Sequence, residues 1–82
     1  DTSDIISIGL SIKGVEVALL LKEVDEGVKA SLRSKNDVDV RKVAENFGGG
    51  GHVKAAGVMQ RDVTLKVAKE NLLKVLKEQM KL

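Results

Sequence analysis

Eighty-two residues suffice for one small domain with a single core and leave no room for a second. The absence of cysteine excludes disulfides, thiolate metal sites and a cysteine nucleophile. A net charge of +2 and one aromatic residue, Phe47, are too little for nucleic-acid binding by general electrostatics or base stacking alone.

The longest apolar run, Val17 to Leu21, falls far short of the roughly 20 residues that cross a bilayer. The opening residues Asp1 to Ser7 lack the basic start of a secretory signal. The cysteine-free composition suits a reducing compartment, and the expected location is cytoplasmic. Ile5–Leu10 and Val15–Val24 read as strands, with Ser11 to Gly14 as the turn between them. In the second, apolar residues of both parities from Val17 to Leu21 predict a strand covered on both faces. A turn closes on Gly27. From Val28 to Ser34 the pattern alternates strictly, so Val28, Ala30 and Leu32 share one face and Lys29, Ser31 and Arg33 the other.

A helix begins after Asp39, an N-cap residue, with Val38 placed to staple onto Val43. Asp37 and Asp39, which flank Val38, fit turn and cap roles better than metal ligation. Val40, Val43, Ala44 and Phe47 form one apolar stripe, and Gly48 stands where a helix often ends left-handed. The run Gly48 to Gly51 then leads to a short helical turn over His52–Ala56 and a strand over Gly57–Gln60. Thr64 caps a last helix whose Leu65, Ala68, Leu72, Val75 and Leu76 face the core. The fold class is therefore α/β: a mixed β-sheet packed with two main helices, and a glycine-rich loop before a short helix.

Four consecutive glycines carry a large entropic cost, and they stand directly before the only histidine. They match no dinucleotide fingerprint, because Val53 occupies the position of its last glycine, and no P-loop Gly-Lys-Ser/Thr occurs. A bare backbone nevertheless lets N–H groups approach an anion, and a helix starting at His52 would add partial positive charge. A turn needs one or two glycines, so four point to ligand approach. His52 alone reads equally as a hydrogen-bonded histidine without a ligand, and Arg33 beside Ser31 as part of a solvated sheet face. Lys54 is a further cation among 14 Lys and Arg. With one histidine and scattered carboxylates, the chain shows no metal-ligand spacing and no nucleophile–base pair, so by itself it is not expected to be an enzyme.

The segments KASLRSK, Lys29 to Lys35, and VDVRKVAENFGGGGHVKAAG, Val38 to Gly57, resemble the C-terminal, DHH-associated domain of the DHH phosphoesterase family. Within it they are most similar to the branch that degrades very short RNA and dephosphorylates 3′-phosphoadenosine 5′-phosphate. The resemblance implies that residues 1–82 are a substrate-binding domain. An N-terminal domain with an Asp-His-His motif and a manganese pair would lie outside this fragment, which contains no such motif. It further implies that Ser31, Arg33, Gly50, Gly51 and His52 contact substrate phosphate or nucleotide, with Gly49 and Lys54 as additional candidates and no metal ligand in this chain. The implied partners are short RNA or a nucleotide phosphate and the catalytic domain. Domains of this kind also serve cyclic-dinucleotide phosphodiesterases, single-strand exonucleases and, as non-catalytic RNA-binding modules, synthetase tails. The arginine of SLRSK favours the oligoribonuclease branch over the cyclic-dinucleotide one.

Overall fold

The computed structural model describes residues 4–12, 14–35 and 38–81. The turn residue Lys13 and the flanking Asp37 lie outside the described residues. Five strands, β1 (Ile5–Ile12), β2 (Val15–Val24), β3 (Gly27–Ser34), β4 (Gly50–His52) and β5 (Ala55–Arg61), form one sheet in the order β1-β2-β3-β5-β4. Every pairing is antiparallel, so the expected mixed sheet is corrected. Two helices, α1 (Val40–Glu45) and α2 (Leu65–Met80), complete an α/β domain.

Alternation in the central strands explains the layering. Val17, Leu19 and Leu21 of β2, Val28, Ala30 and Leu32 of β3, and Ala56 and Val58 of β5 turn to the helix side and are buried. Val40, Val43 and Ala44 from α1 and Ala68, Leu72 and Leu76 from α2 close over them. The expected stripe of α2 is thus the one it buries, with Leu65 and Val75 packed at its margin. The second parity of β2 behaves differently from expectation: Ala18 is exposed and Leu20 is 47% exposed, because both helices sit on the same side of the sheet.

Caps fix where the helices start. Asp39 accepts from the Lys42 amide at 3.1 Å and Thr64 from the Val67 amide at 3.2 Å. Val38 is buried in the same cluster as Val43, as a hydrophobic staple requires. At its far end α1 is closed around Gly48, φ 75°, by Gly48 N–H to the Glu45 carbonyl, 3.2 Å, and Gly49 N–H to the Ala44 carbonyl, 2.9 Å. Phe47 lies just past the helix and still packs on the core. One buried polar side chain ties α2 to the sheet: Gln60 Nε2 donates to the Ala68 carbonyl, 3.1 Å, and Gln60 Oε1 accepts from Asn71 Nδ2, 2.9 Å.

No helix follows the glycine run. Gly50–His52 is a strand, residues 53 and 54 turn, and β5 begins at Ala55, so the expected helix over His52–Ala56 is replaced by a β-hairpin. A six-residue α1 followed by a glycine strand still delivers the chain back onto β5, the return that the sheet order demands.

Leu32, fully buried at the middle of β3, tests this core. Leu32→Ala should destabilise the domain by about 2–5 kcal/mol, from lost burial plus the cavity left behind, read by denaturant unfolding. A change below about 0.5 kcal/mol would mean that β3 is not central to the core.

Candidate functional site

The register lines up residues of different strands on the face that the helices leave open. Arg33 stands opposite Ala18 on β2 and Ala55 on β5, and Ala55 stands opposite His52 on β4. Ser31 stands opposite Leu20 and Gly57, and Gly57 opposite Gly50. Opposed residues share a face, so Ser31, Arg33, Gly50 and His52 lie in two adjacent rows on one surface. Arg33 and His52 are two strands apart, about 10 Å between Cα atoms at the usual strand spacing. Only the methyl of Ala55 rises between them. Arg33, Gly50 and His52 are exposed and Ser31 is half-buried.

The two rows, completed on β1 by Gly9 and Ser7, contain no carboxylate. Two basic groups therefore look onto a floor of small side chains, and the carboxylate on this face beside Arg33, Glu16 one row beyond Ala18, is ion-paired with Lys35. Arg33 Nη1 donates to the Leu32 carbonyl at 3.0 Å, which steadies the guanidinium and leaves its remaining donors for another partner. Arg33 also lines two shallow hollows. One, of ≈ 270 Å³, is bounded by Ser7, Ala18, Leu20 and Ser31; the other, of ≈ 370 Å³, by Gly9, Glu16, Ala18 and Lys35. His52 and the glycine run line neither; both hollows lie on the β1–β2 side of Arg33.

The glycines divide by physical role. A Cβ on Gly49 would overlap the Gly57 carbonyl oxygen, so Gly49 is needed where α1 ends against β5. Gly51 has φ 144°, and a Cβ there would lie 2.6 Å from the Ala55 carbonyl oxygen and 2.7 Å from the Ala56 Cα. At Gly50 a Cβ would meet nothing within 4 Å. The argument that a turn explains only one or two of the four glycines is therefore corrected. Left-handed helix termination and two close approaches account for Gly48, Gly49 and Gly51, and Gly50 alone has no internal requirement.

Backbone direction separates Gly50 from Gly51 in a second way. The Ser34 amide donates to the Lys54 carbonyl at 3.0 Å, which turns the even-numbered residues of β5 toward β3. Ala55 and Gly57 then face β4, where their partners are His52 and Gly50. Gly51 is the residue of β4 whose backbone groups point away from β5, at the free edge of the sheet. It pairs with Ala56 and so belongs to the opposite face from His52. Lys54 is exposed in the turn after β4, off the two rows. His52 sits in a strand, so the positive pole of a helix start contributes nothing to it.

Leu20, Ala18, Ala55 and Gly57 complete this surface and were not singled out by sequence reasoning. Their signal is the parity of β2 and β5 relative to β3, which becomes readable only once the strand order is known. Among the described residues no group of three His, Asp or Glu is arranged to hold a metal ion, and the donor set here, one exposed histidine beside an arginine, does not suit a cation.

The profile of the DHHA1 domain matches the chain from residue 1 to residue 82. The chain belongs to the DHHA1 domain family. It is 35% identical over 80 residues to the bifunctional oligoribonuclease and PAP phosphatase NrnA of Thermus thermophilus, covering 98% of this chain and 25% of that protein. It is 31% identical over 68 residues to the cyclic-di-AMP phosphodiesterase PdeA of Listeria monocytogenes, with 82% of this chain and 10% of the relative covered. To the cyclic-di-AMP phosphodiesterase GdpP of Geobacillus thermodenitrificans it is 36% identical over 64 residues, covering 77% and 10%. This DHHA1 domain thus spans a quarter or less of each of these relatives.

The division among the glycines gives a direct test on the fold. Gly49→Ala and Gly51→Ala should each lower stability by about 1–3 kcal/mol, the cost of overpacking or of a strained backbone. Gly50→Ala should leave it within about 0.5 kcal/mol. Thermal melting of the three variants decides, and equal losses at all three would refute the assignment.

Proposed function

We propose that the open sheet face around Ser31, Arg33, Gly50 and His52 holds a phosphate of a nucleotide or short oligonucleotide, as the substrate-binding domain of a phosphodiesterase. The observation that carries this reading is the row Arg33–Ala55–His52, in which two basic side chains from non-adjacent strands border a carboxylate-free floor. Arg33 offers a planar fork that grips two phosphate oxygens together, which a lysine ammonium does not reproduce. His52 approaches the same group from the far side of Ala55. Gly50, whose missing side chain serves no internal purpose, lets the ligand come down onto the strand. The Gly51 amide, at the free edge, is the backbone donor nearest to hand, with Lys54 in the adjoining turn as a further cation; the Gly49 amide is taken up by the Ala44 carbonyl.

These residues bind and orient. The metal-activated water that cleaves the bond would come from a manganese-bearing Asp-His-His domain outside this chain, and no step of hydrolysis is assigned to residues 1–82. The family membership and the identity to an oligoribonuclease support short RNA as the ligand class. The identities to two cyclic-di-AMP phosphodiesterases favour a cyclic dinucleotide as the second reading.

Arg33→Lys and His52→Ala should each weaken binding of a short adenylate oligonucleotide by roughly 1–3 kcal/mol, the value of a hydrogen bond to a charged group. Both side chains are exposed, so melting temperatures should stay unchanged. Because the two act on one ligand, the double variant should lose less than the sum. Chemical-shift titration with the oligonucleotide and with cyclic-di-AMP reads all of this. Additive, near-neutral effects would remove both residues from the site.

A further inference from the structure

The open face carries a second basic feature two residues further along β3. Lys29 stands directly opposite Lys22 of β2, and both are exposed. The hydrogen bond from the Lys35 amide to the Glu16 carbonyl, 3.1 Å, sets the alternation between these strands and makes Lys22 and Lys29 a hydrogen-bonded pair. Their Cα atoms are then about 5.5 Å apart. Like charges directly opposed on neighbouring strands destabilise a sheet. No carboxylate among the described residues offsets them. The ion pairs among the described residues join Lys35 to Glu16, Arg41 to Glu45 and Arg61 to Glu26, and neither lysine has a carboxylate partner. The rest of their row is Ile5 on β1 and Met59 on β5.

Parity puts the pair on the surface that bears Arg33, since Lys29, Ser31 and Arg33 alternate on one side of β3. Lys29 and Arg33 are four strand steps apart, about 13 Å. At that spacing, side chains standing upright from the sheet can serve separate phosphates. The intervening row holds Ser31, the half-exposed apolar surface of Leu20, and Gly57. From Arg33 to Lys29 the surface therefore runs from cation through small polar and apolar ground to two cations, with no acidic side chain on the way.

We propose that Lys22 and Lys29 form a second phosphate subsite, which receives a more distant phosphate of an oligonucleotide whose first phosphate lies at Arg33 and His52. The inference rests on the proposed function above and extends it to chain length. A mononucleotide reaches only the Arg33 end, whereas an oligonucleotide laid along β3 reaches both. The stability lost to opposed lysines is recovered when phosphate stands between them.

The test uses the 82-residue chain, adenosine 5′-monophosphate and a five-residue adenylate oligonucleotide, with the double variant Lys22→Gln/Lys29→Gln. Two lost phosphate contacts should weaken pentanucleotide binding by about tenfold at low salt and flatten its dependence on log salt by about 1.4, the single-strand value for two charges. Monophosphate affinity should stay within about twofold, and the melting temperature should hold or rise as repulsion is relieved. Pentanucleotide affinity and salt slope that survive in the variant, or equal losses for both ligands, would overturn the second subsite alone. Failure of the unchanged chain to bind either ligand, or indifference of both ligands to Arg33→Lys, would overturn the first site and the second with it.

Discussion

The two-sided alternation of β3 is the constraint from which the rest of the molecule follows. It pairs with β2 on one side and β5 on the other, so it is the strand with the least freedom to shift. Val28, Ala30 and Leu32, exposed by 0, 5 and 0%, occupy the middle of the core, and the residues between them make up the open face. A slip of one residue would place Arg33 under the helices and Leu32 in water. Burial of the apolar set therefore aims the polar set, and the hydrogen bonds of the Ser34 and Lys35 amides to β5 and β2 neighbours lock the end of the strand where Arg33 sits.

The other half of the surface depends on a backbone-to-backbone fit. Gly49 brings the end of α1 against the Gly57 carbonyl closely enough to exclude a methyl group, and β4 is laid beside β5 by that contact. His52 owes its place to this junction. On the helix face of the sheet, the Gln60 carboxamide engages both the Ala68 carbonyl and Asn71, so α2 is held to β5 by directional bonds as well as by apolar contact. β5 is thus gripped along its β4 edge and on its helix face, and it is the strand that joins the two groups of candidate residues.

What the sequence disclosed and what it hid differ in range. The caps Asp39 and Thr64, the staple Val38 and the alternation of β3 are local patterns, and the structure contains each of them. The strand β4 was not legible, because glycine carries no strand preference and its pairing with β5 is set by the turn and by the α1 junction rather than by an apolar rhythm. The apolar parity of Leu20 looked like burial because hydrophobic spacing does not say on which side helices will pack. The grouping of Ser31, Arg33, Gly50 and His52 on one face could be expected from the family resemblance and not from spacing. His52 and Arg33 are 19 positions apart in the chain, and only the insertion of β5 between β3 and β4 brings them into one row.

That insertion has a consequence for how the chain matures. β1, β2 and β3 are neighbours in sequence and in space, a meander that local contacts can assemble. The seam between β3 and β5 must wait for α1 and β4 to be reeled in, and long-range pairings of this sort are paid for in loop closure before they give anything back. Arg33 stands on one bank of the seam and His52 on the other. A half-folded or partly frayed chain carries the arginine without the histidine beside it, so the row Arg33–Ala55–His52 exists only once the last strand is home.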